Sequence, residues 1–217
     1  MRNTGLFIWS IGMLTLAATQ AGAAIIYSGT LELQGPDLSV DIDEDGSADF
    51  VTQWIFLAFG PGFSQAGLDV DYSPNMRYIN NGLPGWPSFP GTKVPLDYGD
   101  YIGPALSGDL RWSSSSNDAM WWITVQDMVT TYGGLWNDVT NKYLGFEMMD
   151  DDSNLFYGWI RLDADSQNNI TLVDYAYEDV PGASISAGAI PEPSTALLLG
   201  LGLVGLATRR SALVHRW

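Results

Sequence analysis

The sequence predicts an all-β fold for residues 24–188, arranged as a single β-sandwich or jelly-roll-like domain. This region has no long stretch in which apolar residues recur at helical spacing. Its β-branched and aromatic residues occur in short runs that Gly, Pro, Asn and Asp interrupt, a pattern typical of strands joined by turns. Such strands stack into two sheets that each bury one face, and the region is long enough to form that core.

The first long strands are predicted to form a hairpin. Leu38, Val40 and Ile42 alternate with polar residues, as expected of a half-buried strand. A second strand starts at Phe50 and extends to about residue 59. An acidic turn separates the two strands.

The middle of the region gives two further predictions. Residues 80–108 hold five prolines and many glycines, which favours a long surface loop or a sheet edge. Residues 120–131 fit either a strand or a short helix, because Trp121, Val125 and Met128 also have helical spacing. We expect a strand there.

The last third is predicted to be a β-meander. Residues 143–149, 156–162 and 170–178 are apolar and aromatic runs joined by turns rich in Asp, Asn and Ser. The three successive aspartates at 150–152 are interpreted as a charged hairpin tip, since three consecutive side chains cannot all face one ion. Glu147 is interpreted as a solvent-facing strand carboxylate.

Composition excludes several function classes. The formal net charge is −16, and a surface of this charge repels nucleic acid and anionic lipid. The chain has no cysteine, which excludes disulfides and thiolate chemistry. Its single histidine, His215, lies in the C-terminal tail, so the predicted domain has no imidazole base or ligand. No spacing selects a catalytic pair of carboxylates, and we therefore predict that the protein is not an enzyme.

The acidic turn at residues 41–49 has the pattern D-x-D-x-D-G-x-x-D. Alternate carboxylates converge when a chain curls around a cation, and Gly46 permits the sharp turn. The turn resembles the calcium loops of β-propeller domains in integrins. The resemblance implies a structural Ca²⁺ bound by the carboxylates of Asp41, Asp43, Asp45 and Asp49 and by the carbonyl of Ser47.

The same turn also resembles the first half of an EF-hand loop. Thr52 stands at the twelfth position, where an EF-hand has a bidentate Glu, and this argues against an EF-hand helix pair. A solvated acidic turn without a metal is the alternative, because Asp and Gly are favoured in turns in any case.

Seven tryptophans lie inside the predicted domain. Exposed indole rings stack on sugar rings, whereas buried rings fill cores and pair across strands, and we expect core filling for most of them. Trp86 and Trp112 are the best candidates for sugar binding because they lie in polar, loop-like segments.

The N-terminal residues 1–23 have the three parts of a secretory signal peptide. Arg2 provides the positive start, residues 5–18 are apolar, and Ala21-Gly22-Ala23 forms a small-residue cleavage site. Signal peptidase is therefore expected to cut before Ala24.

Residues 189–217 contain, in order, a Pro191-Glu192-Pro193 tripeptide, an apolar run at 196–207 and the pair Arg209-Arg210. This end resembles the PEP-CTERM sorting signal of Gram-negative bacteria that make exopolysaccharide. The resemblance implies a hydrophobic sorting helix that anchors the chain transiently in the inner membrane until an exosortase removes it. By the positive-inside tendency, the arginines would lie in the cytoplasm and the domain outside.

Two functions are compatible with these features. The first is a non-catalytic cell-surface or exopolysaccharide-matrix protein with a calcium-stabilised loop. The alternative is a carbohydrate-binding module that acts on extracellular polysaccharide.

Overall fold

The computed structural model describes residues 24–35, 37–60, 63–70, 75–82, 91–114, 118–165 and 169–191. Within these ranges the chain is all β, which confirms the predicted fold class, and it contains no helix long and apolar enough to cross a membrane. The predicted signal peptide and the predicted sorting helix lie outside the described residues. Numbered in chain order, the strands are β1 Ile25–Tyr27, β2 Leu33–Gln34, β3 Ser39–Val40, β4 Phe50–Gly60, β5 Phe63–Val70, β6 Met76–Asn80, β7 Gly91–Thr92, β8 Pro95–Leu96, β9 Tyr101–Ile102, β10 Arg111–Ser113, β11 Asp118–Ala119, β12 Trp121–Gln126, β13 Val129–Gly134, β14 Val139–Met149, β15 Leu155–Ala164, β16 Ile170–Glu178 and β17 Ile185–Ser186.

Two sheets form most of the domain. The large sheet has eight strands in the order β1-β16-β15-β14-β6-β10, with β2 also paired to β16 and β8 to β14. The five-stranded sheet has the order β13-β12-β5-β4-β3. Two small sheets complete the described fold, a parallel pair of β11 with β7 and an antiparallel pair of β17 with β9.

The main core lies between the large sheet and the five-stranded sheet. Phe50, Leu68 and Trp121 of the five-stranded sheet pack in one buried cluster with Phe146 and Ile160 of the large sheet. Each of these side chains is almost fully removed from water, which stabilises the fold by about 1.5–3 kcal/mol per residue. This sheet-on-sheet packing agrees with the predicted sandwich.

A second cluster covers the opposite face of the large sheet. Ile79, Tyr143 and Trp159 of that sheet pack against Ile102 of β9 and Ile185 of β17. The central strands of the large sheet are therefore buried on both faces.

The second cluster corrects two expectations from the sequence. The described part of residues 80–108, which is 80–82 and 91–108, is not simply a surface loop or edge, because Leu96 of β8 is buried beside β14 in the large sheet and Ile102 of β9 is buried against that sheet. Glu147 does not face solvent. It is buried on the covered side of β14 and forms an ion pair with Arg77.

The predicted strand pairings are found in the described residues. β3 and β4 form the first hairpin, with Val40 opposite Phe50. Residues 120–131 form no helix, but they are a hairpin and not the single strand expected: β12 ends at Gln126, Asp127 and Met128 turn with positive φ, and β13 begins at Val129. β14, β15 and β16 pair consecutively and antiparallel, as the predicted meander requires.

Candidate functional site

The acidic loop, residues 41–49, connects β3 to β4 and is fastened by the last of its aspartates. Asp49 is buried, and its Oδ2 accepts hydrogen bonds from the backbone N–H of Ile42 at 2.7 Å and of Asp43 at 3.4 Å. Its own N–H donates to the carbonyl of Val40 at 2.9 Å. The end of the loop is therefore tied back to its beginning.

The other carboxylates of the acidic loop accept backbone hydrogen bonds from residues further along it. Asp41 accepts from the N–H of Asp45 at 3.2 Å and of Gly46 at 2.8 Å. Asp43 accepts from the N–H of Asp45 at 3.1 Å. Gly46 has φ +95°, a conformation that a residue with a Cβ adopts only under strain.

Three of the four predicted carboxylate ligands come together. One oxygen from each of Asp41, Asp43 and Asp49 lies within 4.8 Å of the others. The carboxylate of Asp45 is not one of this group, and its Oδ1 accepts the N–H of Ser47 at 2.7 Å. The role of the Ser47 carbonyl stays a prediction.

The charges of this group are partly removed from water. Burial raises the pKa of Asp49, and the neighbouring negative charges of Asp43 and Asp45 add to that rise. Burial also raises the pKa of Asp43, and Asp45 and Asp41 act on it in the same direction. Two carboxylates at 4 Å repel by about 4 kcal/mol at an effective dielectric constant near 20, so a cation between them would relieve a real cost. Hard cations such as Ca²⁺ take carboxylate and carbonyl oxygens as ligands.

A second acidic turn lies beside the acidic loop. Residues 150–152 form the hairpin tip between β14 and β15, as predicted, and Asp150 accepts the N–H of Asp152 at 3.0 Å and of Asn154 at 2.8 Å. The tip and the acidic loop face each other across an open cleft of about 190 Å³. The side chains that line the cleft are Asp43, Asp45, Asn75, Met149, Asp150, Asp151 and Asp152.

The structure describes only one of the two tryptophans predicted for sugar binding. Trp86 lies outside the described residues. Trp112 of β10 is half-buried, its ring lies 5.6 Å from that of Tyr157, and its indole N–H donates to the carbonyl of Gly103 at 3.3 Å. Trp112 thus packs on the domain and offers only part of its ring to a ligand.

The five-stranded sheet also carries exposed aromatic side chains. Phe56 of β4 is 70% exposed and Tyr132 of β13 is 61% exposed. They lie in one row across four strands, because Phe56 is opposite Ala66, Ala66 opposite Ile123, and Ile123 opposite Tyr132.

Trp54 extends this surface toward the core. It lies two residues before Phe56 on the same face of β4 and is 41% exposed, and its ring meets the buried ring of Trp121 edge-on at 5.1 Å. We call Trp54, Phe56 and Tyr132 the aromatic row. The sequence shows the alternation that puts Trp54 and Phe56 on one face, but it does not show where that face leaves the main core.

The described chain ends at the first residue of the predicted sorting tripeptide. The indole N–H of Trp159 donates to the carbonyl of Ala189 at 3.1 Å, and the N–H of Ala189 donates to the carbonyl of Ser186 at 2.9 Å. Pro191 is exposed at the end of the described residues. The other predicted sorting residues, Glu192, Pro193, Arg209 and Arg210, lie outside them.

Comparison with known proteins identifies this C-terminal segment. Residues 189–211 match the PEP-CTERM protein-sorting motif, which confirms the resemblance drawn from the tripeptide, the apolar run and the arginine pair. The motif is that of an exported protein whose C-terminus is held transiently in the membrane and processed by an exosortase. No curated protein and no solved structure matches the chain.

Proposed function

We propose that this exported chain, which carries a PEP-CTERM sorting motif, is a non-catalytic component of the cell surface or of the exopolysaccharide matrix. The observation that carries the proposal is the position of the motif at residues 189–211, directly after the last contacts of the folded domain at Ala189. Removal of the tail leaves a compact β domain outside the inner membrane. The chain has 25 acidic residues and only nine lysines and arginines. A net charge this far from zero keeps a protein soluble, which suits a hydrated matrix.

The pairing of buried carboxylates supports a structural role. Glu147 is paired with Arg77, and Asp69 with Lys93. Asp174 accepts hydrogen bonds from both Nε and Nη2 of Arg161. A general acid or base needs a carboxyl group that reaches a substrate, and these three are engaged in holding strands together.

A calcium ion at the acidic loop is part of the proposed function. The convergence of Asp41, Asp43 and Asp49 supports it, since three carboxylate oxygens supply part of the six to eight ligands that Ca²⁺ takes. The ion would stabilise the connection between β3 and β4 and take no part in chemistry.

The main proposal is tested by following the two ends of the chain. We expect the protein recovered from the surface or matrix of an exosortase-containing Gram-negative host to begin at Ala24 and to lack the apolar run at 196–207. In a host without exosortase, or with Pro191 and Pro193 replaced by Ala, the tail should be retained and the protein should fractionate with the inner membrane. Peptides containing intact Arg209-Arg210 in extracellular material from the first host would contradict the proposal.

The aromatic row supports carbohydrate binding as a second candidate function. Its three partly exposed rings lie on one face of the five-stranded sheet, and exposed aromatic faces stack on sugar rings. We expect Phe56→Ala and Tyr132→Ala to weaken retention on the host's exopolysaccharide about tenfold, which corresponds to ~1.4 kcal/mol. Trp112→Ala tests the site predicted from the sequence. If all three variants bind as the native protein does, or if the native protein does not bind, this candidate fails while the sorting proposal stands.

A further inference from the structure

A lysine and an aspartate face each other in the interior of the domain. Lys93 lies between β7 and β8 and is 1% exposed, and Asp69 of β5 is fully buried. The Nζ of Lys93 is 2.5 Å from Oδ1 of Asp69. The amine and the carboxyl are therefore in direct contact, and both are shielded from water.

The surroundings of Lys93 fix the position of its amine. Nζ also donates to the backbone carbonyl of Asp118, and it lies 5.8 Å from the centre of the Tyr78 ring. The carbonyl of Lys93 accepts the indole N–H of buried Trp136 at 3.0 Å. Both the backbone and the side-chain end of Lys93 are therefore anchored.

The two oxygens of Asp69 differ in their contacts. Oδ1 accepts the N–H of Val70 at 2.7 Å in addition to the Lys93 amine. Oδ2 is buried and has no hydrogen-bond donor among the residues that the structure describes. Burial raises the pKa of Asp69 to about 6 although the charge of Lys93 opposes the rise. A fraction of the Asp69 carboxyl groups is therefore protonated near neutral pH.

We propose that Lys93 and Asp69 join covalently, through an intramolecular amide bond between Nζ of Lys93 and Cγ of Asp69. The geometry carries the proposal, because a buried amine in contact with a buried carboxyl is an oriented pair of reactants from which water is excluded.

The reaction balances without any co-reactant. Transfer of one proton from the ammonium to the carboxylate gives an amine and a carboxylic acid, the uncharged forms that a buried site favours. The amine lone pair attacks Cγ, and the Val70 N–H stabilises the negative charge that develops on Oδ1. Oδ2 then leaves with its proton and one proton of the amine as a water molecule, while Oδ1 becomes the amide carbonyl oxygen.

The bond would connect the two layers of the sandwich. Asp69 lies on a strand of the five-stranded sheet, and Lys93 lies in the segment that leads into β8, which pairs with β14 of the large sheet. The residues are 24 positions apart, so the bond closes a loop as a disulfide would in a chain that has no cysteine. It also replaces two buried charges and an unpaired carboxylate oxygen with one neutral amide.

The test is mass spectrometry of the full-length gene product under denaturing conditions. We expect the mass to be lower than its composition requires by one water molecule. Trypsin should fail to cut after Lys93 and should release the peptide that ends at Arg77 joined to residues 78–111. Full mass together with free peptides 78–93 and 94–111 would overturn the proposal.

Variants identify the two reacting atoms. Lys93→Arg and Asp69→Ala should both have full mass. Asp69→Asn should still give the same linked peptide, because ammonia leaves in place of water. Lys142→Arg is the matched control, since Lys142 pairs with Asp97 at the exposed surface and should not affect the linkage. If Lys93→Arg or Asp69→Ala does not fold, the digest of the native protein and the Asp69→Asn product still decide the question.

Discussion

Two glycines of the large sheet show how closely its faces are packed. A Cβ at Gly158 would lie 2.2 Å from Cζ of Phe146 and 2.6 Å from the backbone oxygen of Ala176. A Cβ at Gly145 would lie 2.6 Å from Cδ1 of Ile79, the end of a flexible side chain. The first position is bounded by backbone that cannot move away, whereas the second is bounded by a methyl group that can.

We therefore predict that Gly158→Ala destabilises the domain more than Gly145→Ala does. Overpacking against an aromatic ring and a strand backbone costs about 1–3 kcal/mol, or a fall of roughly 2–12 °C in the melting temperature of a domain of this size. Calorimetry of the two variants measures the difference. Equal melting temperatures would mean that Phe146 and β16 adjust more easily than their packing indicates.

Glu147, which forms an ion pair with Arg77, is the residue whose exposure the sequence predicted wrongly. Burial raises the pKa of Glu147, and Arg77 opposes that rise. The alternation along β14 correctly separates Phe146 from Glu147, but alternation cannot say that the second face is also covered. That cover includes β9 and β17, short strands whose contacts with the large sheet are distant in sequence.

Replacing Arg77 with Met should make stability depend on pH. The variant leaves a buried carboxylate without its cation, at a cost of about 1–3 kcal/mol near pH 7. Because the folded-state pKa of Glu147 is then raised further above the unfolded value, the lost stability should return as the pH falls and Glu147 is protonated. Thermal unfolding between pH 4 and pH 7 checks this, with Arg77→Met/Glu147→Gln as the control that should be nearly independent of pH in this range. A deficit in the single variant that is constant with pH would contradict the prediction.

At the scale of elements, the acidic loop and the hairpin tip at 150–152 differ in how far the sequence could predict them. The pattern of residues 41–49 is local, so the sequence predicted the turn and the convergence of Asp41, Asp43 and Asp49. It also included Asp45, whose carboxylate lies outside that group. The cleft shared with the hairpin tip depends on the pairing of β14 with β6, where Met148 lies opposite Met76. No local pattern specifies a pairing between strands so far apart along the chain.

Calcium should raise the melting temperature of the domain through the acidic loop. A site without a bidentate Glu is expected to bind with a Kd of about 10⁻⁴ to 10⁻³ M. At ten times that concentration, binding to the folded state adds about 1.4 kcal/mol, or roughly 3–6 °C. Calorimetry with calcium and then with a chelator measures the shift.

Two variants show which carboxylates hold the ion. Asp43→Ala should remove the calcium-dependent shift. Asp151→Asn should keep it, because Asp151 lines the cleft but is outside the group of converging oxygens. A melting temperature that ignores calcium, or equal responses from both variants, would leave residues 41–49 as an acidic turn only.

At the scale of the whole molecule, the folded domain lies close to the membrane before processing. Ala189 makes the last hydrogen bonds of the described chain, and the apolar run begins at residue 196. The six residues between them span at most about 20 Å when fully extended. An exosortase that acts at the Pro191-Glu192-Pro193 tripeptide must therefore bind a segment that lies between the folded domain and the membrane, close to both.

At the N-terminal end of the described chain, Ala24 is hydrogen-bonded to Asp179, and signal cleavage would strengthen this contact. The N atom of Ala24 donates to Oδ1 of Asp179 at 2.8 Å, and its carbonyl accepts the N–H of Asp179 at 3.1 Å. Cleavage before Ala24 turns this N–H into an α-ammonium group beside the carboxylate. We predict that Asp179→Asn lowers the melting temperature of the processed protein more than that of an unprocessed one, which calorimetry of the two forms can measure. Equal effects in both forms would show that the charge at Ala24 contributes nothing.

The pairing of β1 with β16 also sets the order of events during export. The partners Ala24 and Asp179 are 155 residues apart. The first strand, β1, can therefore pair only after β16, one of the last strands, has also crossed the membrane. Only ten residues separate Glu178 from the start of the sorting motif at 189. If the chain crosses the membrane N-terminus first, the large sheet can therefore gain its outer strand only after residue 178 has crossed, shortly before the apolar run reaches the membrane.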